Sequence, residues 1–411
     1  VTRDPLHCDV IVIGGGLVGS VLVDALSDLA LDTILVESRD REIATESRLD
    51  SRSTALANGS QRILETLGLW ESIRYEAEPI RLIHISEQGR LGAARIVAEE
   101  EGVAALGYTV ENHKLAQTFW GAIEASARSQ VLAPARLVAF SADAAGVSAQ
   151  IDIGGRPRAV RAKLLVAADG MRSGVRALLN IGTLEDDYEH VALTFNCTTE
   201  VPPRGRAYER FTPQGPLALL PLSHARVAVV WTLPPERADE LLRGGEAHLL
   251  AALQTSFGRR LGRIERVGAC ASFPLSRVRS AANTADRVVL IGNAAVSLHP
   301  VAGQGFNLAL RDVATLAEVI ADALDSPRAD VGSAAVLSRY RDWRRRDQRS
   351  VAALTHGLIR LFELNLPGAG CLRGAGLAAF NVLPGGKRAL ARHTMGRAGR
   401  LPRLARGLAL R

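Results

Sequence analysis

Three features of the sequence predict an α/β fold, in which a parallel-sheet unit built from separate pieces is interrupted by an antiparallel sheet and followed by helices. A β-branched run near the N-terminus leads straight into a glycine-rich turn and a periodic helix. Two later stretches, "KLLVAADGMRSGVRALL" and "RVVLIGNAAVSLHPVAGQGFNLALRD", repeat the order strand, turn, helix. Between these two stretches lie alternating segments such as "HVALTFNCTT" and "ARVAVVWTLP", the period-2 pattern of a sheet with two unlike faces.

Taken in order, "DVIVIGGGLVGSVLVDALSDLALDTILVESRD" reads as strand, tight turn, helix and second strand, a βαβ unit. Gly14, Gly16 and Gly19 stand at G-x-G-x-x-G spacing. In that pattern the first glycine permits the turn, the second lets a pyrophosphate approach the backbone, and the third allows close helix–strand packing. The helix N-terminus adds free amides and the positive end of its dipole. Glu37, closing the second strand, is placed to accept hydrogen bonds from a ribose. A glycine turn can be purely structural, but a buried strand before it and a helix after it select a Rossmann-like dinucleotide site, with NAD and FAD both open at this point.

Helical periodicity follows in "ALANGSQRILETLGLW" and "HKLAQTFWGAIEASAR", separated by strand-like "IRLIHISE" and "AARIVA". "AADGMRSGVR" then puts Asp169-Gly170 at a strand end, with Ser173 and Arg176 on the turn and helix beyond. Alone, this reads equally as an Asp N-cap. With the glycine fingerprint and the Gly292-Asn293 strand end, it gives three strand ends able to line one extended cofactor. The inferred organisation is a discontinuous nucleotide-binding domain of residues 1–75, 100–182 and 280–332, a substrate domain of 76–99 and 183–279, and a C-terminal helical region of 333–411.

Composition bounds the function. The 411 residues are 47% hydrophobic, enough for two packed units. Four scattered cysteines, Cys8, Cys197, Cys270 and Cys371, argue against a disulfide framework or a metal cluster and fit reduced thiols in a cytoplasmic protein. No apolar run reaches the roughly 18 to 20 residues of a membrane span, and the first apolar run continues into glycines rather than a cleavage site. The net charge of +7 belongs to the end of the chain: Leu364 to Arg411 carries nine Lys or Arg and no Asp or Glu. That region is either a solvated helical surface or a contact for an anionic membrane or acidic partner. In helical projection Leu390, Met395, Leu401 and Leu408 fall opposite Arg392, Arg400, Arg403 and Arg406, as on an interfacial helix. No nucleic-acid motif is present.

With "SRSTALANGSQRILETLGLW" and "IGNAAVSLHPVAGQGFNLALRD" added to the fingerprint and Asp169-Gly170, nearly the whole chain resembles the aromatic-hydroxylase class of FAD-dependent monooxygenases, and within it the ubiquinone-biosynthesis branch. The resemblance implies bound FAD, NAD(P)H as a transient reductant, O2, and a polyprenyl phenol as substrate. It implies Glu37 on the adenosine ribose, Arg52 near the pyrophosphate, Asn112 or Gln117 toward the flavin, Val138 meeting adenine through its backbone, and Asp169-Gly170 in the cofactor groove. Asn293 takes the place where the class has Asp, keeping hydrogen-bonding capacity without the charge. His299-Pro300 would wall the isoalloxazine, and Gly303-Gln304-Gly305, running on through Phe306 and Asn307, would bring backbone amides to its pyrimidine edge. His299 is open between a direct catalytic role and a structural loop histidine. The branch also implies a quinone-biosynthesis complex and peripheral contact with the inner face of the membrane. An FAD-dependent reductase of isoprenoid lipids and a noncatalytic lipid-binding subunit remain as alternatives.

Overall fold

The computed structural model describes residues 4–40, 52–298, 303–326, 329–363, 376, 379 and 384–411. Its architecture is mixed α/β, as the sequence predicts. A six-stranded sheet runs in the order Thr284–Ala285, Val288–Leu290, Leu164–Ala167, Val10–Ile13, Thr33–Val36, Ser129–Leu132, all parallel except the first pair. Val10–Ile13, Thr33–Val36 and Leu164–Ala167 are buried at every position. Their continuous apolar runs follow from cover on both faces. Helices Leu17–Ser27 and Gln304–Leu324 pack on one side through residues such as Leu22, Leu26, Leu310 and Val313. A meander of Arg136–Ala142, Val147–Ile153 and Arg156–Ala162 covers the other through Val147, Ala149, Ile151 and Val160.

The second large sheet has nine strands. Its path is Val296–Ser297, Ala271–Ser280, Thr183–Thr199, Arg226–Leu233, Gly215–Leu222, Arg206–Thr212, Leu82–Glu87, Ala93–Val97, with Ile264–Val267 paired onto Thr183–Thr199. Alternation gives it two faces. Leu193, Phe195, Tyr208, Leu219, Val229 and Trp231 pack against helices Pro235–Arg243 and Gly245–Phe257, with Leu241, Leu253 and Phe257 opposite them. The opposite face turns toward the cleft described below. A small sheet of Ser53–Ala57, Gly107–Glu111 and Glu78–Ile80 completes the β-structure. The helical reading of "ALANGSQRILETLGLW" therefore starts too early, because Ala55 to Ala57 are strand and the helix is Asn58–Thr66.

The end of the chain corrects the interfacial-helix expectation. Helix Pro384–Thr394 is followed by Gly396 and Gly399 at φ 70 and 77, so no single helix carries the projected face. Ala391 and Met395 are buried with Ile96 and Leu106, and Leu390 packs beside them. Leu404 is buried in the main core and Leu401 packs on it. Arg403 pairs with Asp322 at 2.6 Å, and Arg400 stacks 3.7 Å above the Trp343 ring. Of the four projected apolar residues, Met395 is buried and Leu390 and Leu401 pack on the body of the protein, while Leu408 is 49% exposed. Among the described residues no helix is long and apolar enough to cross a membrane.

Candidate functional site

The C-terminal ends of Val10–Ile13, Leu164–Ala167 and Val288–Leu290 are adjacent in the parallel sheet, the edge where open α/β sheets bind ligands. A cleft of about 840 Å³ opens there, lined by Gly14, Gly15, Gly16, Glu37, Arg52, Asn112, Trp120, Asp169, Gly170 and Phe273, among others. Gly14 has φ +106, and a Cβ there would lie 2.5 Å from the Ala168 carbonyl oxygen. Gly19 faces the helix packing rather than the cleft: its Cβ would lie 1.9 Å from the Gly14 oxygen. A Cβ on Gly16 would meet no protein atom within 4 Å.

The turn between these glycines is held by side chains. Glu37 Oε2 accepts a 2.7 Å hydrogen bond from Gly15 N–H, while its Oε1 accepts from Arg39 N–H at 2.9 Å and the Ser38 hydroxyl at 3.1 Å. A carboxylate offers about four acceptor positions, so Glu37 sets the turn and retains capacity toward the cleft. The Gly15 carbonyl accepts from Trp120 Nε1–H at 2.9 Å and from the Ser20 hydroxyl at 3.1 Å. Sequence reasoning missed Trp120, since nothing local marks one helical tryptophan as the clamp on a turn 105 residues away.

Asp169 combines both readings of its motif. Its Oδ2 accepts from Val175 N–H at 3.1 Å, and Ser173, the actual N-cap of Gly174–Leu178, accepts from Arg176 N–H. Asp169 Oδ1 is closed off without a partner, in a residue that lines the cleft. The buried Arg176 guanidinium donates to the Met171 carbonyl at 2.7 Å and the Ala294 carbonyl at 2.9 Å. It thus ties the Asp-Gly turn to the turn that carries Asn293, which is exposed and does not line the cleft.

That last turn is braced from below. Gly292 N–H donates to Asp312 Oδ2, and Asp312 Oδ1 accepts from Arg344 Nε at 2.6 Å and Gln348 Nε2 at 3.1 Å. Asp312 and Arg344 are buried. Burial disfavours the Arg344 charge, but Asp312 and Asp347 outweigh it and hold the guanidinium more firmly protonated than usual. Burial likewise opposes the Asp347 charge, yet Arg344 and Arg311 hold its carboxyl below the ordinary range. Arg344 lies far along the chain from any motif, so only the fold brings it here.

The late loop is partly visible. His299 and Pro300 lie outside the described residues. Gly303 has φ +58 and precedes helix Gln304–Leu324, whose N-terminus has no side-chain cap and no acidic residue in its first turn. Gly305 has open space where a Cβ would stand. Gln304 is buried and donates to the Thr394 carbonyl, and Phe306 packs on the main core. Asn307 is a clasp: its Oδ1 accepts from Ala57 N–H at 2.7 Å, and its Nδ2 donates to the Ala55 and Gly303 carbonyls. It holds the loop against Ser53–Ala57, with both amide hydrogens engaged inside the protein.

Like Asn293, Gln117 and the Val138 side chain stand outside the cleft. Helix Asn112–Ala125 turns Asn112, His113, Ala116 and Trp120 to the cleft, whereas Gln117 is exposed and outside it, one helical step of about 100° beyond Ala116. Asn112 Oδ1 accepts from the Thr54 hydroxyl at 2.7 Å. Val138 is 59% exposed and sits where the register shifts between Leu137 and Ala139. The bulge swings it outward, and Ala135, Arg136 and Leu137 line the cleft instead. Arg52 lies in the cleft with its guanidinium 5.0 Å from the Phe273 ring centroid.

The arrangement fits FAD. The helix beginning at Leu17, like that at Gln304, lacks a side-chain cap and first-turn acids, so orphan amides and a positive dipole end are available to phosphate. Space at Gly16 and the unpartnered Asp169 oxygen complete the accommodation.

Comparison with known proteins agrees with the geometry. Residues 7–354 match the family model described as FAD binding domain, and the chain belongs to that family of flavoproteins. The chain is 36% identical over 405 residues to ubiquinone hydroxylase UbiL of Rhodospirillum rubrum, covering 98% of this chain and 93% of that protein. It is 31% identical over 375 residues to 3-demethoxyubiquinol 3-hydroxylase of Escherichia coli, covering 90% and 94%. Within the family, its place is the ubiquinone-biosynthesis hydroxylase branch. In fold it is similar to p-nitrophenol 4-monooxygenase PnpA of Pseudomonas putida, with TM-score 0.81 at 17% identity over 96% of this chain and all of that one.

Proposed function

We propose that this protein hydroxylates the aromatic ring of a polyprenyl phenol in ubiquinone biosynthesis, using NAD(P)H and O2, and that its most specific description is a 2-polyprenyl-6-methoxyphenol hydroxylase. The observation that carries this reading is the full-length similarity to ubiquinone hydroxylases. When bound, FAD supplies the electron-transfer and oxygen-transfer chemistry. The chain's own groups bind and orient. Gly16 and the amides of the helix beginning at Leu17 hold the pyrophosphate, Glu37 the ribose, and Arg52 the phosphate side. Asp169 would bind along the groove, and the Gly303 to Gly305 backbone would meet the ring's polar edge. The uncapped end of Gln304–Leu324 favours negative charge beside it. The inner face of the nine-stranded sheet closes over the cleft and keeps water from the reacting ring.

An insoluble prenyl chain is delivered from a lipid phase, so this reading includes peripheral contact with an anionic membrane face and association with other quinone-biosynthesis proteins. Exposed Arg388, Arg392, Arg406 and Arg411 supply charge for such a contact. The decisive experiment incubates FAD-loaded protein with labelled oxygen gas, NAD(P)H and a short-chain prenyl methoxyphenol. One labelled oxygen atom in the ring is expected. Reduction of a prenyl double bond, or no incorporation across a panel of quinone precursors, refutes the reading.

A further inference from the structure

One row of cross-strand neighbours crosses the inner face of the nine-stranded sheet: Ile85, Glu209, Ala218, Val230, Thr194, Ala271. Ala271 lines the cofactor cleft. Glu209, four strand spacings or roughly 19 Å away, stands on the face that closes that cleft. Its neighbours in sequence confirm the orientation. The Tyr208 ring meets Phe257 edge-on and Arg210 donates to the Ser256 carbonyl, both on the helix-covered side, so Glu209 points the other way.

On this inner face three polar atoms are closed off from solvent with no partner: Glu209 Oε1, Thr194 Oγ1 and Asn196 Oδ1. Ile83, Ile85, Leu220 and Val230 stand on the same face and are half-buried. An apolar wall bearing unsatisfied polar atoms is the pattern of a site for an apolar ligand with a polar substituent. Burial alone pushes the Glu209 carboxyl up to about 7, with no charged neighbour contributing. The other ionisable groups brought to this face are Glu87, the pair Arg226–Glu111 at 3.4 Å, Arg52 over the Phe273 ring and, on the side of Thr194, His190. Helix Pro384–Thr394 presents Leu390 and Ala391 to the strand carrying Ile85.

We propose that Glu209 is the base of the reaction: its carboxylate accepts the hydrogen bond of the substrate's phenolic hydroxyl and takes that proton as the ring is oxygenated. This rests on the phenol-hydroxylase reading above. The phenolic O–H bond breaks, an O–H bond forms on Glu209, and the electron pair left on the phenolic oxygen raises electron density at the ring carbon that gains oxygen. A base that titrates near neutrality is well matched to this proton transfer.

The test uses full-length, FAD-loaded wild type, Glu209→Gln and Glu209→Asp, with 2-methoxy-6-prenylphenol and its methyl ether as probes. Binding is read from the perturbed flavin spectrum, and oxygenation from single turnovers. In wild type, the phenol should bind about tenfold or more tightly than the ether once the carboxyl ionises, and this preference and the rate should fall as pH drops through about 7. Glu209→Gln, whose amide oxygen still accepts weakly, should show a reduced phenol preference that no longer changes with pH, a phenol KM up to about tenfold higher, a rate lower by on the order of 100-fold, and unchanged FAD occupancy. Glu209→Asp should keep the pH transition at a lower rate. Glu209→Gln with the wild-type preference, rate and pH profile overturns the proposal, as does a wild type that hydroxylates the phenol while binding phenol and ether equally. A phenol preference that Glu209→Gln reduces, in a protein that oxygenates no phenol, supports Glu209 as the hydroxyl's acceptor and refutes the hydroxylase reading instead.

Discussion

Two glycines three residues apart should respond in opposite ways to the same added methyl. Gly16 has φ −69 and ψ −179, ordinary extended backbone, and a Cβ there touches nothing within 4 Å. Gly16→Ala should therefore leave the flavin-free protein as stable as wild type, or about 0.4 to 1 kcal/mol more stable, through the reduced entropy of the unfolded chain. The open space is where the pyrophosphate must approach, so the methyl should displace it from the helix amides. Losing one charge-assisted hydrogen bond costs about 1.5 to 3 kcal/mol, or roughly 10- to 150-fold in FAD affinity. At Gly19 the methyl would stand 1.9 Å from the Gly14 oxygen and 3.2 Å from its carbon. Backbone must separate from backbone there, so Gly19→Ala should lower the stability of the flavin-free protein by at least the roughly 1 to 3 kcal/mol of overpacking. Fluorescence titration of deflavinated protein with FAD, beside thermal unfolding of the same samples, measures both. Wild-type FAD affinity in Gly16→Ala would remove the pyrophosphate from this turn, and an unperturbed Gly19→Ala would refute the packing argument.

Three further outcomes follow from the buried side chains. Trp120→Phe removes one of two hydrogen bonds to the Gly15 carbonyl and leaves that from Ser20, so FAD affinity should fall only about fivefold, near 1 kcal/mol; no change in titration would show that the clamp is idle. Asp312→Ala strips the buried Arg344 of one of its two carboxylates and frees Gly292 N–H, and should cost roughly 3 to 5 kcal/mol in urea unfolding, with a loss under about 1 kcal/mol contradicting the brace. Asp347, held below the ordinary carboxylate range by Arg344 and Arg311, contributes stability that is present above its unfolded pKa and lost as pH falls through its lower folded pKa. The stability gap between wild type and Asp347→Asn should therefore narrow on acidification through that window, and a gap independent of pH would show that the pair does not set the acid profile.

How much of this was legible in the sequence depended on whether the signal was local. The parallel strands with their turns could be read because a buried apolar run, a glycine and a helix are consecutive in the chain. The loops after Ile13 and Ala167 then reach the cleft through the register of their strands. Gln117 and the Val138 side chain stand outside the cleft for equally local reasons that leave no mark in composition: a helical step of one residue and a single bulge. The tail misled because its projection assumed one continuous helix, whereas Gly396 and Gly399 take left-handed backbone and Ala391, Met395 and Leu404 find a core to enter.

Glu209 shows where reading the chain stops. "RAYERFT" alternates, and alternation alone puts Glu209 with Ala207 and Phe211 on one side of a strand and Tyr208 with Arg210 on the other. An ordinary reading gives the charged residues to solvent, but here both Glu209 and Arg210 are drawn inward on opposite faces. The strand lies in mid-sheet, between Leu82–Glu87 and Gly215–Leu222, with helices over one face and the cofactor cleft beneath the other. Which face meets which layer is fixed only when Leu82–Glu87 joins the sheet in parallel from more than a hundred residues earlier. A carboxyl that would be unremarkable at an edge thereby becomes an unpartnered one facing an apolar wall, and its chemistry belongs to the topology rather than to the segment that encodes it.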